Sequence, residues 1–355
     1  MTNALITGWG MYAPSRIMSN HDLEKLVDTS DEWIVSRTGI RERRIAADDE
    51  TTTTLSVHAA RDALAVAGMT PDELDLVIVG TCSPDYYMPA TAVLVAHELG
   101  ATRAAGFDLM AACSGFVFSL ATATAYVRSG MYRNVLVVGV ELLSRFLDYT
   151  DRNTCVLFGD GAGAVIVSAS QQAGGLVGLD MYSDGTGKEG IIFPAGGSAC
   201  PTTPQTVAEG GHFVHMAGKE VYRYATRQLA ESARAALRNA DLGVGDVDQF
   251  LFHQANLRII ESVQNAVGIP PEKTYLNIEK YGNTSAASVP MALVEAIADG
   301  RIKPGDRLLM AAFGAGYTAG AAVVEWTADP SRAFLAPGEQ TRLGKPQREL
   351  AQVGA

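Results

Sequence analysis

From Phe116 to Val127 the chain reads Phe-Val-Phe-Ser-Leu-Ala-Thr-Ala-Thr-Ala-Tyr-Val, apolar on nearly every side of a helix, before Arg128 and the stop signal Gly130. A helix without a polar face must be surrounded by protein, so this segment belongs in the middle of a layered fold. The strand-like run Phe107-Asp108-Leu109-Met110 and the small-residue corner Ala111-Ala112-Cys113-Ser114-Gly115 lead into it. Cys113 thus stands at the N-terminus of a buried helix. The positive end of the helix dipole lowers a thiol pKa there and favours the thiolate, the form that attacks acyl carbonyls. Free cysteines also commonly serve only as buried packing, so this stretch alone leaves both roles open.

Repetition is the second constraint. Ala63-Leu64-Ala65-Val66-Ala67 followed by Asp75-Leu76-Val77-Ile78-Val79 is echoed by Ala236-Leu237-Arg238-Asn239-Ala240 followed by Asp248-Gln249-Phe250-Leu251-Phe252. Phe158-Gly159 before Ala164-Val165-Ile166-Val167 is echoed by Phe313-Gly314 before Ala321-Ala322-Val323-Val324. Two matched blocks in one order indicate a duplicated α/β fold, with mixed strands and helices on both faces of each half. A length of 355 residues suits two such units better than one core. The expected halves are 1–172 and 173–326, with the tail 327–355 outside the core because it is rich in Pro, Gly and charge. Between the halves, Gly185 to Gly211 has the length and composition of a lid or binding loop.

Several function classes fall away. Gly8-Trp9-Gly10-Met11-Tyr12-Ala13 fits the loose dinucleotide fingerprint, but Pro14 follows and no helix opens there to hold a pyrophosphate. A net charge of −11 opposes non-specific binding to nucleic acid or anionic membranes. No apolar run approaches the roughly 20 residues of a membrane helix, and no signal peptide is evident at the N-terminus. Cys82, Cys113, Cys155 and Cys200 are scattered without a C-x-x-C pair, which suggests neither a metal site nor a disulfide framework and fits a reducing cytoplasm.

Two segments of the second half can partner Cys113. His253 follows the buried run Phe250-Leu251-Phe252, and Asn283 lies in Tyr281-Gly282-Asn283-Thr284-Ser285-Ala286-Ala287-Ser288 before a helix over Val289 to Ala298. Active sites of α/β sheets gather at such strand ends. A lone His is commonly structural, and an Asn beside Gly is commonly a turn. Together with Cys113 they form a set suited to nucleophilic acyl transfer. Near the N-terminus, Ser30 or Asp31 can cap a short helix carrying Trp33 and Arg37 on one face. An aromatic ring beside a guanidinium can stack on an adenine and meet its phosphates, although spacing alone favours simple packing.

These motifs, with Asp28-Thr29-Ser30-Asp31-Glu32-Trp33-Ile34 and Thr150-Asp151-Arg152-Asn153-Thr154, resemble β-ketoacyl-acyl-carrier-protein synthase III from Leu5 to about Trp326. The resemblance implies the duplicated thiolase fold with buried central helices, usually as a homodimer. It implies that Cys113 takes an acyl group from acyl-CoA. Malonyl-acyl-carrier protein then loses CO₂, and its carbanion attacks the acyl-enzyme, beginning fatty-acid synthesis with no cofactor beyond the acyl-CoA substrate. His253 and Asn283 would donate to the malonyl thioester oxygen, with the N–H groups of Cys113 and Ala315 as the acyl oxyanion hole. Trp33, Arg37 and Arg152 would hold CoA, with Asn256 near the pantetheine arm and Phe313 beside His253. Met88 would reach into a neighbouring subunit's acyl pocket, and its flexible side chain could admit more than an acetyl group. Arg223 and Arg258, with Lys219 and Arg227, would dock the carrier protein, while Asn265 and Ala266 stand where lysines are often found. The alternative within this chemistry is an acyltransferase or condensing relative of secondary metabolism acting on another acceptor. Outside it, a Cys-His-Asn hydrolase is the rival.

Overall fold

The computed structural model describes residues 2–331. Most of the tail expected outside the core, 332–355, therefore lies beyond the described residues. Two mixed sheets form the frame. The first has five strands in the order Asn3–Tyr12, Gly161–Ser170, Asn134–Glu141, Leu76–Gly80 and Ala105–Leu109. The second has four, in the order Gly175–Tyr182, Thr318–Glu325, Arg307–Gly314 and Gln249–Phe252.

The polarities match strand for strand: two antiparallel pairings, then a parallel one. The first sheet continues with the parallel edge strand Ala105–Leu109. At the same place the second sheet keeps only a single parallel bridge, Phe250 to Thr274. The echo read from the sequence is a structural duplication down to its hydrogen bonds. Asp75 Oδ2 accepts the Asn134 N–H at 3.0 Å, and Asp248 Oδ2 accepts the Arg307 N–H at 2.9 Å.

Strand glycines explain how the outer helices settle onto the sheets. A Cβ on Gly8 would lie 2.1 Å from the Ala63 carbonyl oxygen, in the helix Thr52–Ala67. A Cβ on Gly178 would lie 2.3 Å from the Ala236 oxygen, in the helix Gly218–Asn239. The Gly-Trp-Gly run is thus a close helix–strand contact, with Trp9 buried against Trp326 at 5.3 Å. Its glycines serve packing, as the failed dinucleotide match required.

The helix Gly115–Arg128 is buried between the sheets beside its counterpart Ser288–Ala298. Their N-terminal ends meet where the strands carry no side chain. A Cβ on Gly139 would lie 2.3 Å from the Ala286 oxygen. Gly139→Ala is therefore expected to lower stability by about 1–3 kcal/mol through overpacking, read as a lower urea midpoint.

Candidate active site

Cys113 sits in a 3₁₀ turn, Ala112–Ser114, directly before the buried helix. The corner is held by the second half of the chain: Thr318 Oγ1 donates to the Ala111 oxygen at 3.0 Å, and Ser114 Oγ donates to the Thr318 oxygen at 3.2 Å. Ala112 (φ 47°), Ser285 (φ 48°) and Tyr317 (φ 45°) flank the corner in a left-handed conformation that non-glycine residues seldom adopt. Such strain is retained where surrounding structure dictates it.

His253 follows the strand Gln249–Phe252, its N–H donating to the Ala311 oxygen at 2.7 Å. The side chain is fixed from behind. Ser288 Oγ accepts the Gln254 N–H at 3.3 Å and lies 2.6 Å from His253 Nδ1. With the Ser288 proton turned to Nδ1, the ring proton is assigned to Nε2, the nitrogen left for the cavity. Burial lowers this imidazole to about 3, so it is a neutral donor. Asn283 is held by a parallel bridge to Phe158, and its Oδ1 accepts the Ser285 N–H at 2.8 Å. That bond assigns the amide NH₂ to the open side.

Cys113, His253 and Asn283 are 8%, 4% and 6% exposed and line one cavity of about 460 Å³. Phe313 and Ala315 line it too, along with Ile191, Ile192 and Phe193 from the long Gly185–Gly211 segment. A Cβ on Gly314 would come within 2.7 Å of the Cys113 nitrogen, so Ala315 follows the residue that packs on the Cys113 backbone. The fold brings the Cys, His and Asn loops together as the strand-end reasoning expected.

The thiol corrects one expectation. Burial pushes Cys113 up to about 12 despite the lowering hydrogen bonds from Ser285 and the backbone, so the resting side chain is a neutral thiol. The reason is depth: the dipole argument suits an exposed helix end, and this end is enclosed. Sequence reasoning also missed Glu141, Ser285 and Ser288. Ser285 Oγ is 3.3 Å from Cys113 Sγ and 3.1 Å from Glu141 Oε1. Nothing in local sequence marks them, since Glu141 ends an otherwise apolar strand and the serines sit among small residues.

A second hollow shares Leu157, Met216 and Gly218 with the cavity and carries Trp33, Arg152 and Lys219. Ser30 caps the helix Asp31–Thr38, accepting the Trp33 N–H at 3.1 Å. The Arg37 and Arg152 guanidinium carbons lie 5.9 and 5.3 Å from the Trp33 ring centre. The sequence-read trio is therefore one cluster at the cavity's approach. Asn256 lines the cavity as the N-cap of Leu257–Val267, with Nδ2 donating to the Arg37 oxygen at 3.0 Å. Arg223, Arg227 and Arg258 are exposed on two adjacent helices, Arg258 lying 5.8 Å over the Tyr222 ring. Met88 is 86% exposed between Tyr87 and a cis peptide to Pro89, away from the cavity of its own chain.

Comparison with known proteins decides the family. The profile of 3-oxoacyl-[acyl-carrier-protein] synthase III matches residues 107–185, and that of its C-terminal part matches 237–326. A β-ketoacyl-[acyl-carrier-protein] synthase III of Roseiflexus sp. (strain RS-1) is 49% identical over 325 residues, 92% of this chain and 99% of the relative. The chain belongs to the β-ketoacyl-acyl-carrier-protein synthase III family. The crystal structure of the Aquifex aeolicus synthase III superposes with a TM-score of 0.84 at 44% identity, covering 92% of this chain and all of that one. The Thermus thermophilus synthase III gives 0.85 at 42%, covering 91% and 99%. The duplicated frame is thus the thiolase-like fold of the synthase III family. Among the described residues no helix is long and apolar enough to cross a membrane.

Proposed function

We propose that this synthase III takes an acyl group from acyl-CoA onto Cys113 and joins it to the carbanion of malonyl-acyl-carrier protein. The products are CO₂ and a 3-ketoacyl-acyl-carrier protein, the first condensation of fatty-acid synthesis. The observation that carries this is the anchoring of His253 and Asn283, each held through one polar atom with an N–H donor left for the cavity of Cys113. Loss of CO₂ places negative charge on the thioester oxygen, and two neutral, pre-aimed donors are what that charge requires. Cys113 and Ala315 N–H serve the acyl oxyanion. Both steps are thioester chemistry, so acyl-CoA enters as substrate and no cofactor is assigned.

Trp33, Arg37 and Arg152 are assigned to the adenine and phosphates of CoA, and Asn256 to the entrance of the pantetheine arm. Arg152→Ala is expected to raise the KM for acyl-CoA about tenfold with little change in kcat, because a phosphate contact remote from the reacting carbon is lost equally in ground and transition states. Steady-state kinetics at varied acyl-CoA check it. Arg223 and Arg258 are assigned to the acidic carrier protein. Exposed Tyr86, Tyr87, Met88 and Met110 near the edge strand Ala105–Leu109 support a homodimer in which Met88 enters the partner's acyl pocket. Four free cysteines support a reducing, cytoplasmic setting.

The deciding experiment mixes the protein with acetyl-CoA and malonyl-carrier protein and follows intact masses. A 3-ketobutyryl carrier product is expected. An acetylated Cys113 without that product would overturn the assignment in favour of transfer to another acceptor.

A further inference from the structure

The roles assigned so far leave a buried carboxyl group close to Cys113 unused. Glu141 ends the strand Asn134–Glu141, is fully buried, and forms no ion pair among the described residues. Neutral donors surround it. The Cys82 N–H lies 3.1 Å from Oε1 and the Cys82 thiol 3.2 Å from the same oxygen. Ser83 Oγ is 2.5 Å and Thr81 Oγ1 3.3 Å from Oε2, and Ser285 Oγ is 3.1 Å from Oε1.

The direction of these protons can be read from the backbone. Ser83 Oγ accepts the Leu142 N–H at 2.9 Å, and Thr81 Oγ1 accepts the Ser83 N–H at 3.1 Å. Each hydroxyl therefore turns its own proton to the carboxyl group. These donors offset part of the cost of burying the carboxylate without a cation, although burial still raises the group. Ser285 Oγ has one proton and two neighbours, Glu141 Oε1 and Cys113 Sγ. If it donates to the carboxylate, its lone pair faces the thiol proton of Cys113.

We propose that Ser285 and Glu141 form a proton relay for Cys113, with Glu141 a positioning residue that holds the thiol proton while the cysteine is acylated. This rests on the acyl-enzyme reading above. As Cys113 Sγ bonds to the acyl carbon, its proton passes to Ser285 Oγ and the Ser285 hydroxyl proton passes to Glu141 Oε1. The carbon–sulfur bond to CoA breaks, and the departing CoA thiolate takes a proton from solvent. When condensation expels Cys113 as a thiolate, Glu141 returns the proton by the same path. The titratable groups facing Glu141 are the thiols of Cys82 and Cys113, both held protonated by burial. Desolvation raises the Glu141 carboxyl, whereas it lowers His253 to about 3. Of the two buried bases near Cys113, the carboxyl group is the one whose affinity for a proton burial raises.

The test is the pH profile of Cys113 alkylation by iodoacetamide, resolved from Cys82 by peptide mass. It needs neither acyl-CoA nor carrier protein, so failure of the condensation assay would be seen separately. With the relay, Ser285 and Glu141 take the proton as Cys113 Sγ attacks, so no free thiolate is needed and the wild-type rate levels off once the carboxyl group is ionised. Glu141→Gln must release its thiol proton to solvent, so its rate rises about tenfold per pH unit. At pH 6 the wild type is expected to exceed this variant at least about tenfold. Ser285→Ala retains the carboxyl group, breaks the bridge and is expected to give the same sloping profile, which covers a Glu141→Gln protein that fails to fold. Parallel profiles for wild type and Ser285→Ala would overturn the relay. So would faster alkylation of Glu141→Gln at pH 6, since removing a mere negative neighbour favours the thiolate.

Discussion

Cys113→Ala is expected to abolish condensation, with a loss on the order of 10⁴-fold or more, because the thiol assigned to the acyl-enzyme is removed. The side chain is small and lies at a turn already occupied by alanines, so the fold should survive the change. The informative measurement separates the half-reactions. Mass spectrometry of the variant after acetyl-CoA should show no acetyl adduct, while wild type gains one acetyl group on the tryptic peptide carrying residue 113. Decarboxylation of malonyl-carrier protein should persist in the variant, because His253 and Asn283 are anchored by Ser288 and the Ser285 backbone and need nothing from the thiol. A variant that still condensed would remove Cys113 from the mechanism.

Loss of either oxyanion donor is the second large effect. His253→Ala and Asn283→Ala are each expected to slow decarboxylation by about 10²–10³-fold. The double variant should lose less than the product of the two, since the donors serve one oxygen. The pH dependence has a definite sign. An imidazole lowered from its ordinary 6.5 to about 3 is already neutral at pH 5, so no proton is lost between there and pH 8. The decarboxylation rate is accordingly expected to show no inflexion near pH 6.5, measured as CO₂ release across that range. A rate that fell with an apparent pKa near 6.5 as the pH rose would mean that the imidazolium is the working form. Asn283→Asp provides a further check. A carboxylate facing the developing oxyanion should be worse than alanine at neutral pH, and its deficit should shrink as the pH falls and the carboxyl group is protonated.

Much of this protein was legible before its structure. The largely apolar segment after Cys113 could only be a central helix, because a helix without a charged or strongly polar face has no stable place in water. The two Ala-rich blocks with their following strands revealed the duplication, because each half uses the same solution to packing. The backbone of Ala63 in one half, and of Ala236 in the other, approaches a strand glycine. Long motifs in fixed order identified the family, and the loops bearing Cys113, His253 and Asn283 were found because strand ends of such sheets converge.

What only the tertiary structure decided concerns environment. Local sequence gives a cysteine the field of the helix it begins, but the cost of ionising it depends on everything packed around it, and here burial prevails. The same holds for Glu141, an isolated carboxyl at the end of an apolar strand. Its significance comes from Ser285, which is distant in sequence and adjacent in space. The tautomer of His253 likewise depends on Ser288, which the turn Ser285–Ala287 brings beside it. Periodicity and small-residue spacing report which surfaces must be buried, since that is set by each segment's own chemistry. The charge state of a group inside the protein is set by its neighbours, and only the folded chain brings those neighbours together.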